Sequence, residues 1–286
     1  MKVALAVCSR TIEGVPDTPI LNAALEAAGH EVRLLDWCDD PVWDWPDVTL
    51  LHTPWDYAQK LPAFLSWIAR VSARTILLNK AELVRTSIHK SYLLDLQRAG
   101  ITIPQTLLLH KGSAPDLRQL RDYFGSYPVV IKPAVGSGGR RLERLADVEA
   151  LMTSSIMGST AIVGEDVLVQ RYEETIETRG EFSLVLVDGS LSHLVHKRPR
   201  QGEYRVQAAH GGASGPADID DHARSMAKSL APFVADAFYA RIDYLIGADG
   251  SPLLMELELA EPDLYLRHSP QAASRLAAGL SKLSII

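Results

Sequence analysis

Short apolar runs alternate with amphipathic stretches in the first part of the chain. Helical spacing of apolar residues predicts helices at residues 18–28, which Gly29 ends, and at residues 62–71. The apolar runs predict four strands, at residues 3–7, 31–35, 48–52 and 75–78. This order of strands and helices is typical of a doubly wound parallel sheet. We therefore expect residues 1–85 to form an α/β domain, with ligands beyond the carboxyl ends of its strands.

The pattern changes near Arg85, and two α+β units are expected to follow. A helix capped by Thr86 or Ser87 is predicted to run to Gly100. The next part predicts a strand, a helix and a second strand, at residues 127–133, 146–157 and 167–170. These elements form the smaller unit, which we place at residues 103–170.

The larger unit, residues 171–286, is expected to contain two hairpins. The first pairs residues 181–187 with residues 191–197 through a turn at Asp188-Gly189. Between the hairpins, the Gly-rich residues 211–218 predict a mobile loop, and residues 220–239 predict a helix.

The composition is ordinary for a folded protein: 286 residues, 47% hydrophobic and 22% charged, with a net charge of -6. It contains no long basic stretch, so we expect no nucleic-acid partner. No apolar run approaches the ~20 residues of a membrane span, so we expect no membrane partner. The amino-terminal apolar run is too short for a secretion signal. Cys8 and Cys38 are too few for a disulfide framework or a zinc site, so we expect a cytoplasmic protein with both cysteines buried.

The last hairpin, residues 239–259, gathers acidic side chains. A two-residue turn at Asp249-Gly250 puts four charged side chains on one face in opposed pairs, Asp243 with Glu256 and Arg241 with Glu258. Opposed carboxylates repel each other, so a cation should compensate them. Two interpretations remain open: Arg241 neutralises an ion-paired sheet face, or the three carboxylates bind a divalent cation. A hairpin supplies few ligands, which favours Mg²⁺ shared with substrate phosphates.

A site that shares Mg²⁺ with phosphates also needs a phosphate-binding loop. The Gly-rich residues 136–141 follow a strand that carries Lys132 near its end. They lack the Gly-Lys-Ser/Thr of a P-loop, and Arg141 replaces the third Gly of the dinucleotide fingerprint. Gly-rich turns are usually only turns. However, a lysine beside exposed loop N–H groups can bind an anion. The candidate ligands are Lys132, Gly136, Ser137, Gly138 and Gly139.

Three further segments fit a nucleotide site. Lys90 is expected on the first turn of its helix. Gln170, Arg171 and Tyr172 end a strand, and acidic residues follow them. A basic stretch includes Lys197 and Arg205. Each side chain alone is more simply interpreted as a solvated surface group, but their joint order is harder to explain in that way.

This series of motifs resembles the ATP-grasp superfamily: a lysine before a helix, strand-Lys-Pro with a Gly-rich loop, a strand and hinge, a basic stretch, and Asp then Glu-x-Glu. The resemblance covers roughly residues 83–266. It implies an ATP-grasp fold, with ATP held between two α+β lobes and the Gly-rich loop closing as a lid. The preceding α/β unit resembles the amino-terminal domain of such proteins.

The resemblance also implies roles for the matching residues. Lys90 and Lys132 would contact the α- and β-phosphates, residues 170–172 would bind adenine, and Glu177 or Glu174 would bind ribose. Asp243, Glu256 and Glu258 would hold Mg²⁺. The usual final pair is Glu-x-Asn, so Glu258 is a departure that adds negative charge. Lys197 and Arg205 would lie against the γ-phosphate as the catalytic groups.

Within the superfamily, several strings resemble a glutathione-synthetase-like subgroup. They are Trp55-Asp56-Tyr57, Lys197-Arg198-Pro199 with Gly202 and Arg205-Val206-Gln207, and Met255-Glu256-Leu257-Glu258 with Glu261-Pro262. That subgroup includes the cyclo-ligase of D-cycloserine biosynthesis, which closes O-ureido-serine into a ring. The resemblance implies an ATP-dependent ligase that forms a C–N bond on an amino-acid-like small molecule through a phosphorylated carbonyl. A ligase of different specificity and a non-catalytic nucleotide-binding regulatory protein remain alternatives. Glutathione-synthetase-like relatives are often homo-oligomers.

The loop after the third strand is the candidate substrate site. It contains Thr53, Trp55, Asp56 and Tyr57, and Asp56 could pair with an α-ammonium group. A structural turn with a packed Trp is an equally simple interpretation of the same residues.

Overall fold

The computed structural model describes residues 1–39, 43–156 and 163–283. Its amino-terminal sheet is parallel, with strand order β2-β1-β3-β4. The strands are β1 (Lys2–Val7), β2 (Glu31–Asp36), β3 (Val48–Thr53) and β4 (Ile76–Leu78). The helices are α1 (Thr18–Ala27) and α2 (Leu61–Ser72). All six predicted elements are confirmed, each within a few residues.

The two faces of this sheet have different partners. One face packs against α2 through a core rich in aromatic rings, which includes Phe64 and Trp67. The other face packs against α1 and also against the carboxyl-terminal helix and the strand at residues 181–187, through Leu25, Leu276 and Val185. The amino-terminal sheet and the large lobe therefore share one hydrophobic core.

The predicted single helix up to Gly100 is wrong. The structure has two helices, α3 (Ala81–Ile88) and α4 (Tyr92–Arg98). Thr86 does not cap a helix, because its hydroxyl donates to carbonyls inside α3. The chain breaks at residues 89–91, since His89 forms a β-bridge with Val135 and the Lys90 amide donates to Ala134 O.

The small lobe is an antiparallel sheet of order β5-β8-β6-β7 with one helix packed against it. Its elements are β5 (Thr106–Leu109), α5 (Leu117–Phe124), β6 (Val129–Pro133), β7 (Glu143–Leu145) and β8 (Val167–Arg171). The helix predicted at residues 146–157 is a short 3₁₀ segment, Glu149–Thr153, and residue 157 lies outside the described residues. Leu151 and Ile156 are buried in the hydrophobic core of this lobe.

The large lobe is an antiparallel sheet of order β11-β10-β9-β12-β13. Its strands are β9 (Glu181–Val187), β10 (Ser190–Arg198), β11 (Ala213–Ala217), β12 (Tyr239–Ile246) and β13 (Pro252–Glu258). Its helices are α6 (Thr175–Arg179), α7 (Asp221–Val234) and α8 (Pro270–Ser281). The loop predicted at residues 211–218 is wrong, because residues 213–217 pair with β10.

The prediction that both cysteines are buried is half right. Cys8 is fully buried at the end of β1, whereas Cys38 is exposed. Among the described residues, no helix is long and apolar enough to cross a membrane.

Candidate active site

A cavity of about 620 Å³ lies where the small lobe, the large lobe and the amino-terminal sheet meet. Fifteen of the predicted site residues line it. They are Trp55, Lys90, Lys132, Gly136, Ser137, Gly138, Gly139, Gln170, Arg171, Tyr172, Lys197, Arg205, Asp243, Glu256 and Glu258. The other four, Thr53, Asp56, Tyr57 and Glu177, do not line this cavity.

The acidic hairpin has the predicted register at its charged end. Asp243 pairs with Glu256, and Arg241 pairs with Glu258. One carboxylate oxygen of each of Asp243, Glu256 and Glu258 lies within 4.8 Å of the others. Three hard oxygen donors at this spacing, facing a cavity that also contains lysines, fit a Mg²⁺ ion shared with phosphates.

Arg241 joins two of these carboxylates. Its Nη2 donates to Asp243 Oδ2 at 2.9 Å and to Glu258 Oε1 at 2.5 Å. Burial alone would raise the pKa of Asp243, but Arg241 and Lys197 outweigh it and hold that pKa below its usual range. Burial raises the pKa of Glu258 well above its usual range despite Arg241, and Glu256 adds to the rise. The charged face of the hairpin is therefore ion-paired by Arg241 and still short of positive charge. Neutralisation by Arg241 and binding of a divalent cation are thus compatible interpretations.

Lys90 lies in the break between α3 and α4 rather than on a first helical turn. There its amine reaches both lobes, with Nζ 2.5 Å from Glu256 Oε1 and 2.7 Å from Gly136 O. Burial alone would lower the pKa of Lys90, but the carboxylates of Glu256, Glu258 and Glu261 together outweigh it and raise that pKa.

Lys132 is equally buried, but none of the described carboxylates forms an ion pair with it. Its side chain comes from β6, and the residue is 8% exposed. Burial lowers the pKa of Lys132, although Glu256 acts in the opposite direction. A buried ammonium without a bonded anion is costly, which fits a site that an anionic ligand completes.

The Gly-rich loop approaches the large lobe closely. Gly138 and Gly139 have φ values of 64° and 70°, which favour glycine. A Cβ on Gly139 would lie 3.3 Å from Gln207 Oε1 of the opposite lobe. The loop therefore lies over the cavity, as expected of a lid.

Lys197 and Arg205 line the cavity, but each already has a carboxylate partner. Lys197 contacts Glu181 directly across β9 and β10, and its Nζ lies 3.3 Å from Asp243 Oδ1. Arg205 Nη2 lies 2.7 Å from Glu203 Oε2. Our sequence reasoning missed Glu181, because a bulge at residue 192 places it opposite Lys197.

At the hinge, the side chains and the backbone amides already have partners within the protein, since the Arg171 amide donates to Gln105 O at 2.8 Å and the Tyr172 amide to Pro128 O at 2.9 Å. The Gln170 amide donates to Thr106 Oγ1 at 2.9 Å, and Arg171 stacks on Tyr127 at 3.7 Å. Glu177 is held by Arg144 at 2.7 Å and accepts from the Tyr172 hydroxyl at 2.5 Å.

These bonds keep Glu177 out of the cavity lining. Neither Glu174 nor Glu177 lines the cavity, whereas Glu173 does. The acidic side chain at the hinge end of the cavity is therefore Glu173.

Two of the predicted substrate residues, Asp56 and Thr53, are buried and bonded to other groups of the protein. Asp56 accepts from Trp37 Nε1 at 2.7 Å and pairs with Lys60 at 2.7 Å. It therefore has no free oxygen directed at an ammonium group. Thr53 donates its hydroxyl hydrogen bond to Thr11 at 2.8 Å.

The remaining two lie beside Glu261, which belongs to one of the strings that resemble the subgroup but was given no role from the sequence. Trp55 lines the cavity and donates its Nε1 to Glu261 O at 3.2 Å. Tyr57 lies behind it, in a small recess shared with Lys90 and Glu261. Burial raises the pKa of Glu261 to about 7, although Lys90 and the Tyr57 hydroxyl act in the opposite direction.

Comparison with known proteins agrees with this geometry. A family model described as the N-terminal domain of D-cycloserine synthetase DcsG matches residues 3–79, and a model described as a RimK-like ATP-grasp domain matches residues 88–268. The chain belongs to the RimK-like ATP-grasp family. It is 31% identical to the cycloserine biosynthesis protein DcsG of Streptomyces lavendulae over 279 residues, or 93% of each chain. It is 26% identical to a ribosomal protein bS6--L-glutamate ligase of Escherichia fergusonii, covering 85% of this chain and 83% of the relative.

Solved structures confirm the ATP-grasp fold. The crystal structure of D-cycloserine synthetase DcsG, 30% identical, covers 99% of both chains with a TM-score of 0.87. A D-alanine--D-alanine ligase from Bacillus anthracis, 16% identical, has a TM-score of 0.69 and covers 98% of this chain and 94% of that chain. The second likeness shows the fold alone. With its ligase relatives, this ATP-grasp protein is an ATP-dependent enzyme that forms carbon–nitrogen bonds.

Proposed function

We propose that this enzyme closes the ring of an O-ureido-serine-type amino acid in a cycloserine-type synthesis. The observation that carries the proposal is the convergence of the carboxylates of Asp243, Glu256 and Glu258 with Lys90 and Lys132 on one cavity. Likeness to DcsG over nearly the whole chain supports the ring-closing reaction.

The nucleotide end of the cavity supports binding of Mg-ATP. Lys90 and Lys132 bind the phosphates, and residues 170–172, which line the cavity, bind adenine. Glu173 replaces Glu174 and Glu177 as the acceptor for the ribose hydroxyls, because it lines the cavity. Asp243, Glu256 and Glu258 hold Mg²⁺, as their oxygen spacing permits. Bound ATP supplies the γ-phosphoryl group that activates a carbonyl oxygen of the substrate.

The protein's own contribution is positioning and charge. Phosphoryl transfer requires aligned groups and neutralised charge rather than a protein nucleophile. Lys197 and Arg241 present cationic groups beside Asp243, where negative charge would develop. Arg205 faces the same cavity from the loop after β10. The Gly-rich loop excludes water, which protects a hydrolysable phosphorylated carbonyl until the substrate nitrogen attacks and phosphate leaves.

Glu261 is the best candidate for the substrate ammonium group, in place of Asp56. Apart from the three metal-binding candidates, four carboxylates of the described residues line the cavity: Glu173, Glu181, Glu261 and Asp263. Glu181 pairs with Lys197, Asp263 pairs with Arg267, and Glu173 lies at the hinge beside Arg171. Within the described part of the chain, Glu261 has no ion-pair partner, so an ammonium group can supply one.

The test is a turnover assay with product detection. Purified enzyme is mixed with Mg-ATP and a panel of amino acids that includes O-ureido-serine, serine and glutamate, and ADP and products are measured by mass. We expect ADP and a cyclic product only with O-ureido-serine. ADP formation with another amino acid and none with O-ureido-serine would contradict ring closure. ATP binding without stimulation by any amino acid would contradict the ligase as a whole.

A further inference from the structure

The cavity contains a cationic side chain that the nucleotide site does not explain. Nine Lys and Arg side chains line it, and seven of them form ion pairs with described carboxylates. Those seven are Lys90, Arg140, Arg171, Lys197, Arg205, Arg241 and Arg267. Lys132 and Arg10 form none with the residues that the structure describes. Lys132 is proposed for the ATP phosphates, which leaves Arg10.

Arg10 is held at the cavity by a rigid turn. It lies in a 3₁₀ segment, Ser9–Thr11, that directly follows β1. The Thr11 hydroxyl donates to Thr53 O at 3.0 Å and accepts from the Thr53 hydroxyl at 2.8 Å. The Cys8 amide also donates to Thr53 O, at 3.1 Å. The turn is therefore tied to the end of β3, and this gives Thr53 a positioning role.

The guanidinium of Arg10 has spare hydrogen-bonding capacity. Its Nη2 lies 3.5 Å from Trp55 O, at the limit for a hydrogen bond. A guanidinium carries five donors in a planar fork, which suits a carbonyl or carboxylate oxygen. Gln59, which follows β3, lines the same cavity and offers an amide. Both residues lie beyond the carboxyl ends of adjacent parallel strands.

We propose that Arg10, with Gln59, which lines the same cavity, binds a carbonyl oxygen on the side chain of the amino-acid substrate. This inference rests on the proposed function. The activated carbonyl of the substrate occupies the end near Lys197 and Arg241, and its ammonium group pairs with Glu261. The side-chain nitrogen lies against that carbonyl for ring closure, and the ureido carbonyl attached to this nitrogen points towards the amino-terminal domain, where Arg10 has no ion-pair partner among the described residues. Arg10 therefore selects amino acids whose side chain ends in an oxygen acceptor, such as a ureido group.

The test compares Arg10→Ala with the matched control Arg33→Ala, which changes a paired, exposed arginine on β2. Steady-state kinetics gives KM for O-ureido-serine and for ATP. Calorimetry gives Kd for the amino acid in the presence of a non-hydrolysable ATP analogue. Loss of a charge-assisted hydrogen bond predicts a rise of about 10- to 100-fold in KM and Kd for O-ureido-serine with Arg10→Ala. KM for ATP should stay within about twofold of wild type, and Arg33→Ala should change neither constant.

Two further amino acids, serine and glutamate, test which side-chain group Arg10 binds. The kinetics also separate failure of this inference from failure of the proposed function. Serine has no side-chain carbonyl, so Arg10→Ala should weaken its binding by less than about threefold. A larger loss for glutamate than for O-ureido-serine would show that the site selects a carboxylate and would overturn the ureido assignment. An equal rise in KM for ATP, or no change in either KM, would overturn the inference while the wild-type ring closure stands. Absence of amino-acid-dependent ADP formation in the wild type would refute the proposed function itself, and this inference with it.

Discussion

Asn79 is expected to be one of the most stabilising single side chains of the protein. It follows β4 in the amino-terminal domain and is fully buried. Its Nδ2 donates to Tyr239 O at 2.8 Å and to Leu259 O at 2.7 Å, both in the large lobe. Its Oδ1 accepts from the backbone amides of Phe238 at 2.6 Å and Tyr239 at 3.3 Å. The four hydrogen bonds fix the end of the amino-terminal sheet to β12 and to the segment that follows β13.

Asn79→Ala would leave two backbone N–H groups and two carbonyls buried without that partner. A buried polar group that loses its hydrogen bond costs about 1–3 kcal/mol. Because the change leaves a space that water can partly fill, we expect the free energy of unfolding to fall by about 3–5 kcal/mol. That loss is a large fraction of the 5–15 kcal/mol that is typical for a folded protein, so it should be easy to measure.

The assay is urea unfolding followed by circular dichroism, with Asn22→Ala as the matched control. Asn22 lies on α1, and its Oδ1 is buried without a hydrogen-bond partner in the described structure. The control should therefore change the free energy of unfolding by less than about 1 kcal/mol. A loss below about 1 kcal/mol for Asn79→Ala as well would refute the view that this side chain fixes the amino-terminal domain to the large lobe.

Three further predictions concern the metal site, the substrate site and acid stability. Glu256→Gln should lower Mg²⁺-dependent ADP formation by at least about 100-fold with circular dichroism unchanged, because it removes a charged metal ligand; activity within about threefold of wild type would contradict that role. Glu261→Gln should raise KM for the amino acid by about 10- to 100-fold and leave KM for ATP unchanged, since the amide cannot pair with an ammonium; an equal rise in both would place Glu261 in the nucleotide site instead. Burial lowers the pKa of His193 from 6.5 to about 4, although its hydrogen bond to Leu264 O acts in the opposite direction. The unfolded chain therefore takes up a proton that the folded chain does not, and stability should fall as pH drops from 6.5 to 4. His193→Gln should reduce that fall by about 1–3 kcal/mol in urea titrations at the two pH values, and an unchanged pH dependence would refute it.

The strands were predictable wherever an apolar run was bounded by turn residues. The run at 3–7 is completely buried, because both faces of β1 are covered by other elements. A strand that is buried on both faces must be continuously apolar, so its sequence shows it directly. The strand at 213–217 was missed for the opposite reason. Its residues, Ala-Ser-Gly-Pro-Ala, have low strand propensity, and their pairing with β10 is a tertiary effect.

The acidic register was predicted correctly, although the turn was predicted wrongly. Strand β12 ends at Ile246 and β13 begins at Pro252, so the connection between them has five residues rather than the two expected. A bulge at Met255 shifts the pairing by one residue and restores the opposition of Asp243 and Glu256. Bulges depend on packing against neighbouring strands, which sequence pattern alone does not show.

The ion pairs and hydrogen bonds between residues far apart in the sequence were the least predictable part of the site. Asp56 was a reasonable candidate for an ammonium group until the structure paired it with Trp37 and Lys60. Glu261 stood only within a string that resembles the subgroup, and Arg10 carried no distinguishing local pattern. Their importance follows from which charged groups around the cavity lack partners, and that is known only once the chain is folded.

The most direct measurement is a crystal structure of the enzyme with Mg²⁺ and a non-hydrolysable ATP analogue. We predict that Lys90 and Lys132 contact the phosphates and that Asp243, Glu256 and Glu258 ligate the metal at the same triphosphate. A nucleotide bound elsewhere, or a triphosphate that contacts the lysines while the three carboxylates face a separate surface, would contradict the central claim.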